Sequence, residues 1–284
     1  MSSNHQYQVK LDTRVVSPEE LFSQAHAKIL GLGELLPMLA SPDSGKRLDY
    51  DPKTQTLSDG DLIYPIRDGS LPLLLPERLK EYFTDRLAVP FDAGLDSFMQ
   101  YFLLASIKQS GEINAASDDV HYQRHLFRLR EFCRSCKGLV LDVGCDDPLI
   151  GSSLLPDGTQ YVGLDPFCMR NEPFRLVGVG EFLPFQDASV DCIVFNTSLD
   201  HILDWRRALD EANRVLVPNG KLYICTLAWT DRAGLITDSV HFHHFREYEI
   251  FGALSNLNIG KVQRYDYKGD EHRYGLYIQA DKKT

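Results

Sequence analysis

Five side chains in the second half of the sequence are candidate proton acceptors near neutral pH: Asp200, His201, Asp231, His241 and His244. His201 follows the apolar run Val190-Asp-Cys-Ile-Val-Phe195, which reads as a buried strand, and sites in open α/β sheets form beyond the carboxyl ends of such strands. A capping or packing histidine is an equally good reading of that residue. His241-Phe-His-His-Phe245 gathers three imidazoles, which raises metal binding. In an extended chain, however, His241 and His243 share one face while His244 points away, and no nearby carboxylate completes a ligand set, so no metal is expected there. Cys133-Arg-Ser-Cys136 has zinc-type spacing but lacks a second pair, and Cys145, Cys192 and Cys225 fall in or beside apolar runs, so all read as buried thiols.

The element that must position this chemistry lies in residues 138–165. Leu139-Val-Leu-Asp-Val143 is a strand candidate, Gly144 permits a tight turn, Asp147 suits a helix N-cap and Pro148 the first helical position. A helix over 149–155 and a second strand, Tyr161-Val-Gly-Leu-Asp165, complete a β-α-β unit. Free N–H groups at the helix start, with Asp165 placed for a ribose diol, suit an adenosine-containing ligand. Gly144-Cys-Asp-Asp-Pro lacks the G-x-G-x-x-G fingerprint, which argues against a nicotinamide enzyme.

The alternation continues downstream. Arg175-Leu-Val-Gly, Val190 to Phe195 and Leu222-Tyr-Ile-Cys-Thr226 read as further strands, the last after a Pro218-Asn-Gly220 turn. Trp205, Leu209, Ala212 and Leu216 mark a helix, and segments 261–267 and 274–280 a closing hairpin. The expected architecture is a mostly parallel α/β sheet with one antiparallel strand.

The chain of 284 residues carries 40 acidic against 30 basic side chains, for a net charge of -10, which disfavours a polyanionic substrate such as nucleic acid. No apolar run reaches membrane-spanning length and residues 1–10 are polar, so the expected address is the cytoplasm. Ser17-Pro-Glu-Glu20 starts a helix within a helical lead-in, 1–37, with Leu21, Phe22, Ala25 and Ile29 at helical spacing. Segment 38–78 is punctuated by Gly and Pro and reads as a small β-rich module. Segment 79–137 reads as a helical connector or cap, whose basic helix 120–132 is a solvated face or a substrate surface.

In its order of residues, above all Tyr64-Pro-Ile-Arg-Asp-Gly-Ser-Leu-Pro-Leu-Leu-Leu-Pro76, the small module resembles the zinc-ribbon module that accompanies several methyltransferases. Ser41, Ser44, Ser58 and Asp59 stand where that family has cysteines, so a metal-free ribbon is expected, packed by Leu48, Leu57, Ile63, Tyr64, Ile66 and Leu73 and available to a protein partner.

Over residues 138–284 the resemblance becomes specific. Leu141-Asp-Val-Gly-Cys145, Tyr161-Val-Gly-Leu-Asp165, Gly180-Glu-Phe-Leu-Pro-Phe-Gln-Asp-Ala-Ser-Val-Asp191, Asp200-His-Ile-Leu-Asp204 and Ala208-Leu-Asp-Glu-Ala-Asn-Arg-Val-Leu-Val-Pro-Asn-Gly220 resemble, in order and spacing, the class I S-adenosylmethionine (SAM)-dependent methyltransferases. The resemblance implies a Rossmann-like domain with a mostly parallel seven-stranded sheet and SAM as cofactor. It places Asp142 and Gly144 at the methionine end, Asp165 at the ribose, Glu181 and Phe182 beside the adenine and Asn196 near the sulfonium, with Cys145 and Pro166 completing the binding set. His201, Asp200, His241 and His244 are then the candidate bases, and Trp229, Thr230 and Asp231 substrate contacts; because helical caps of this family close over the cofactor, the resemblance also makes Tyr101, His121 and Tyr122 pocket candidates. The implied reaction is methyl transfer to O or N of a small-molecule or saccharide-type acceptor; RNA methylation and a non-catalytic scaffold are the alternatives. Asp146 and Pro148 replace the family's usual glycines, and the interval between Asp165 and Leu176 is short for a full helix with its connections.

Overall fold

The computed structural model describes residues 27–68, 70–77, 79, 82, 120–166, 174–230 and 241–284; the helix expected from Ser17, Tyr101, Asp231 and the middle of the 165–176 interval lie outside them. The described chain begins with strand β1 (Lys28–Ile29) and a one-turn helix α1 (Leu32–Leu35). Ile29, which the helical spacing assigned to the lead-in helix, is therefore in a strand. Four short strands follow, β2 (Asp49–Asp51), β3 (Thr56–Ser58), β4 (Ile63–Arg67) and β5 (Leu71–Pro72), paired antiparallel in that order. Alternation in β4 turns Tyr64 and Ile66 inward and leaves Ile63 68% exposed, so Ile63 is not one of the packing residues expected of this module.

Helix α2 (Val120–Phe132) precedes the main sheet, which is built from β6 (Leu139–Val143), β7 (Gln160–Asp165), β8 (Leu176–Val177), β9 (Val190–Asn196), β10 (Leu216–Trp229), β11 (Leu257–Asp266) and β12 (Arg273–Lys282), together with β1. Helices α3 (Pro148–Ser153), α4 (Trp205–Val215) and α5 (Glu247–Ala253) alternate with these strands. The lateral order is β1-β7-β6-β9-β10-β12-β11. Among the described residues the sheet has seven positions, as expected, but eight strands: β1 pairs with Gln160 and Tyr161 of β7, and β8 pairs with Leu164 and Asp165 farther along it. β12 runs antiparallel to both of its neighbours and is the single reversed strand of this sheet among the described residues. The result is a mostly parallel, Rossmann-like α/β sheet beside a small antiparallel one.

The Pro218-Asn-Gly220 segment is not a turn ahead of a short strand. It is an irregularity inside β10, where the register with β9 shifts between Leu216 and Lys221 and Asn219 takes a positive φ of 63°.

The two faces of the sheet differ in chemistry. One presents Leu139, Leu141, Val162, Leu164, Ile193 and Ile224, continuous with Leu39, Leu48, Leu57 and Tyr64 of the N-terminal segment. The other presents Val140, Tyr161, Cys192, Tyr223, Cys225 and Tyr277 and is covered by Leu126, Leu129 and Phe132 of α2. Helix α2 thus covers a sheet face. Ser41, Ser44 and Asp59 hydrogen-bond among the knuckle positions: Ser41 Oγ lies 2.7 Å from Tyr64 Oη, and Ser44 Oγ donates to Asp59 Oδ2 at 2.5 Å.

Leu39 is 0% exposed and bridges to Phe185 across the junction. Leu39→Ala should cost about 2–5 kcal/mol. Urea unfolding followed by fluorescence and circular dichroism should show one coincident transition shifted to lower denaturant; two separate transitions would show that the N-terminal segment is an independent unit.

Candidate functional site

The turn after β6 is shaped by contacts that only certain residues allow. Gly144 has φ 77°, and a Cβ there would lie 2.4 Å from Ser198 Cβ. Its N–H donates to the Leu164 carbonyl at 2.8 Å, which ties the turn to β7. Asp146 takes φ 47°, a left-handed conformation that glycine adopts freely and aspartate tolerates, so the backbone keeps a glycine-like path without the glycine. Its N–H donates to Asp165 Oδ2 at 3.1 Å, and Arg175 Nη1 donates to its carbonyl. Asp147 caps α3 by accepting from Leu149 N at 2.9 Å, and Pro148 occupies the first position, as the sequence indicates. Cys145 is buried against β7, where a Cβ on Gly163 would lie 2.5 Å from its Sγ. Pro166 directly follows β7.

Asp142 is the central charge of this region. It is 4% exposed, its Oδ2 accepts from Tyr161 Oη at 2.8 Å, and its Oδ1 is buried with no hydrogen-bond partner among the described residues. Burial, with the Asp165 charge adding to it, pushes its pKa up to about 7 although the Tyr161 hydrogen bond opposes the shift. Asp142 lines a small cavity with Gly151, Tyr161, Leu129, Val194 and Asn196.

Asn196, at the end of β9, is oriented by a residue that sequence reasoning did not single out. His125 of α2 reaches Asn196 Oδ1 with Nε2 at 2.9 Å and Tyr277 Oη with Nδ1 at 2.6 Å. Burial, reinforced by the Arg128 guanidinium, holds His125 below its ordinary pKa. A neutral ring that donates from Nε2 to Asn196 leaves the carboxamide NH2 as the donor group. The one sequence signal for His125 was its place in the basic helix. Tyr122, on the same helix, is raised above its ordinary pKa by burial and by the charges of Asp146 and Asp147, which locates it near the turn.

Glu181 and Phe182 face the protein interior. Phe182 is 2% exposed, edge-on to the Tyr82 ring at 4.9 Å and under the Arg207 guanidinium at 5.2 Å. Glu181 Oε1 accepts from Asp204 N at 3.1 Å at the start of α4, and burial pushes its pKa up to about 7.

Beyond β9 the histidine segment folds back. The Asp200 carbonyl accepts from Phe242 N at 3.0 Å and His243 N at 3.2 Å, and His243 Nε2 lies 2.9 Å from the Ile202 carbonyl. These contacts bring Asp200, His201 and His241 together, with His201 and His241 ring centroids 4.9 Å apart. His244 stands at the rim, 6.3 Å from His241 and edge-on to Trp229 at 4.9 Å. The facing expected for an extended chain is therefore corrected: His243 turns away to stack on Phe245 and pack on Trp205, because its ring is held by backbone carbonyls. A carboxylate does stand beside these histidines, contrary to the expectation from the local sequence: Asp200, brought there by the fold-back.

A family model described as a methyltransferase domain matches residues 102–258, more than half of the sequence, and the chain belongs to that family. The ubiquinone/menaquinone biosynthesis C-methyltransferase UbiE of Rickettsia massiliae (strain Mtu5) is 33% identical over 91 residues, 32% of this chain and 35% of the relative. That of Rickettsia prowazekii (strain Madrid E) is 30% identical over 92 residues, 32% and 36% of the two chains. The chain thus spans about a third of the length of the curated relatives it matches. Among solved structures, Burkholderia thailandensis 1,6-didemethyltoxoflavin-N1-methyltransferase with bound 1,6-didemethyltoxoflavin and S-adenosylhomocysteine is similar at 17% identity and a TM-score of 0.49, over 68% of this chain and 92% of that one. Geranyl diphosphate methyltransferase in complex with SAM is similar at 14% identity and a TM-score of 0.48, over 58% and 88%. No helix among the described residues is long and apolar enough to cross a membrane.

The raised acids give a pH signature. A carboxylic acid whose folded pKa exceeds its unfolded value contributes stability that is present at low pH and lost as pH rises through the folded pKa. The contribution of Asp142 and Glu181 to the unfolding free energy should therefore decline between about pH 4, the ordinary carboxylate range, and about 7, against the opposite trend of His125 and His243, whose burial-lowered pKa favours the folded state as pH rises toward the ordinary histidine value. Asp142→Asn, which resembles the protonated acid, should flatten part of that decline in urea titrations across this range; an unchanged slope would contradict the placement of the charge.

Proposed function

We propose that the chain is a SAM-dependent methyltransferase acting on an oxygen or nitrogen of a small-molecule or saccharide-type acceptor. The observation that carries the reading is the buried, half-satisfied carboxylate of Asp142, one strand from Asp165, beside a turn at the carboxyl edge of the sheet. An unpaired buried acceptor of this kind suits a cationic amine, which would also favour the ionised form of the acid. When bound, SAM supplies a methyl group already activated by its sulfonium.

The protein's own part is then to bind and align. Asp142 Oδ1 accepts from the amino group, Asp165 accepts from ribose hydroxyls, and Asn196, held by His125, presents its NH2 toward the same region. Asp200, His201, His241 and His244 supply proton acceptors for a hydroxyl or amine nucleophile. The acidic net charge supports a small acceptor over a polyanion. So do two arginines that are already engaged, Arg128 of α2 over the Tyr265 ring and Arg134, just beyond α2, with Glu131. Because the named relatives are C-methyltransferases, a carbon nucleophile is the second class to assay.

Calorimetry of the whole chain with SAM and S-adenosylhomocysteine tests the reading. Saturable one-to-one binding is expected, weakened at least about tenfold, or ~1.4 kcal/mol, in Asp165→Ala. Asp146→Gly should tighten it, since it removes both a positive-φ side chain and a carboxylate that repels the cofactor's own. Absence of binding at millimolar ligand would overturn the proposal in favour of a non-catalytic, methyltransferase-like protein that docks a partner through residues 38–78.

A further inference from the structure

The Asp200, His201 and His241 cluster has a chemistry that methyl transfer does not require. One ligand atom from each of the three residues lies within 4.8 Å of the other two. His241 Nε2 and Asp200 Oδ2 are 3.7 Å apart, too long for a hydrogen bond but near the ~3.3 Å that separates two donors held at ~2.0 Å on a tetrahedral ion.

A second observation comes from the carboxylate itself. Asp200 is 2% exposed, and its Oδ1 is buried with no hydrogen-bond partner among the described residues. A buried carboxylate without full hydrogen bonding is costly unless a cation compensates it.

The scaffold is also preorganised. Asp200 and the 242–243 backbone are joined by two N–H to carbonyl bonds, and His243 clamps the same two segments through the Ile202 carbonyl. The cluster is therefore held by backbone geometry rather than by the side chains that compose it. Two imidazoles and one carboxylate, with the remaining positions open, form a donor set suited to first-row divalent ions such as Zn2+, Co2+ or Fe2+, and poorly suited to Mg2+ or Ca2+, which prefer all-oxygen ligands.

We propose that Asp200, His201 and His241 form a binding site for a divalent transition-metal ion at the carboxyl edge of β9. His244 is outside the ligand set, and with an ion bound the three ligands no longer accept protons, which leaves His244 as the base among the four. The proposal is independent of SAM binding, because the ligands form a closed local set without Asp142 or Asp165. An ion there would leave coordination positions for water or an acceptor oxygen.

The test uses the whole chain, stripped with a chelator and titrated with Co2+ as a spectroscopic probe. One equivalent should bind and give visible d–d bands without thiolate charge-transfer absorption, and Zn2+ should displace it. Asp200→Asn and His241→Gln should each weaken Co2+ binding at least 100-fold, and His244→Gln should leave it within about threefold, about 0.7 kcal/mol. Circular dichroism of each variant establishes that it is folded, and the partly exposed His241 serves as the reporter if Asp200→Asn does not fold. No binding at millimolar Co2+, binding undiminished in folded His241→Gln, or a thiolate signature pointing to the cysteines would each overturn the assignment.

Discussion

Placing a carboxylate inside a parallel sheet constrains everything around it. Asp142 occupies a strand position that otherwise carries aliphatic side chains, and its neighbours are what make that tolerable. Tyr161 supplies a hydroxyl across β7, and Gly151 gives up its side chain because a Cβ there would come within 2.5 Å of Asp142 Oδ2 and 2.4 Å of the Tyr161 hydroxyl. Helix α3 can approach the strands closely only because of that glycine. The short helix, the tight turn and the adjacent Asp165 are therefore parts of one arrangement that keeps an ionisable group dry and addressable from the carboxyl edge.

Much of this was legible in the sequence. The apolar run 139–143, the Asp147-Pro148 start and the second apolar run each follow from strand burial, capping and proline geometry, and the structure has β6, α3 and β7 in those places. The irregular β10 was not legible, because Pro-Asn-Gly signals a turn and also suits a bulge; pairing partners decide between them. Ile63 was misplaced for a similar reason: composition identifies an apolar residue, but only the register of β4 says which face it takes.

Legibility at the site was lower because its side chains come from distant segments. Nothing near His125 in the sequence announces Asn196 or Tyr277, and the grouping of Asp200 with His241 depends on a backbone fold-back between separate loops. A motif read along the chain reveals residue types; the juxtaposition of a buried carboxylate with two imidazoles is a tertiary fact. The N-terminal segment shows the same limit, since Leu48, Leu57 and Tyr64 read as a small local core but are continuous with the aliphatic face of the large sheet.

The shared position beside β7 has a consequence for how the chain acquires its structure. Lys28 pairs with Gln160 across a long intervening stretch, whereas β6 and β7 are joined through one short helix. Closing the longer loop has the larger entropic cost and gains only a two-residue strand, so loop entropy favours pairing of β6 with β7 before β1 joins them. Until β1 docks, the Gln160–Tyr161 end of that β7 edge has unpaired amides and carbonyls. That interval is when the nascent sheet is most open to pairing with a foreign strand, and β1, though short, acts as its closing seal.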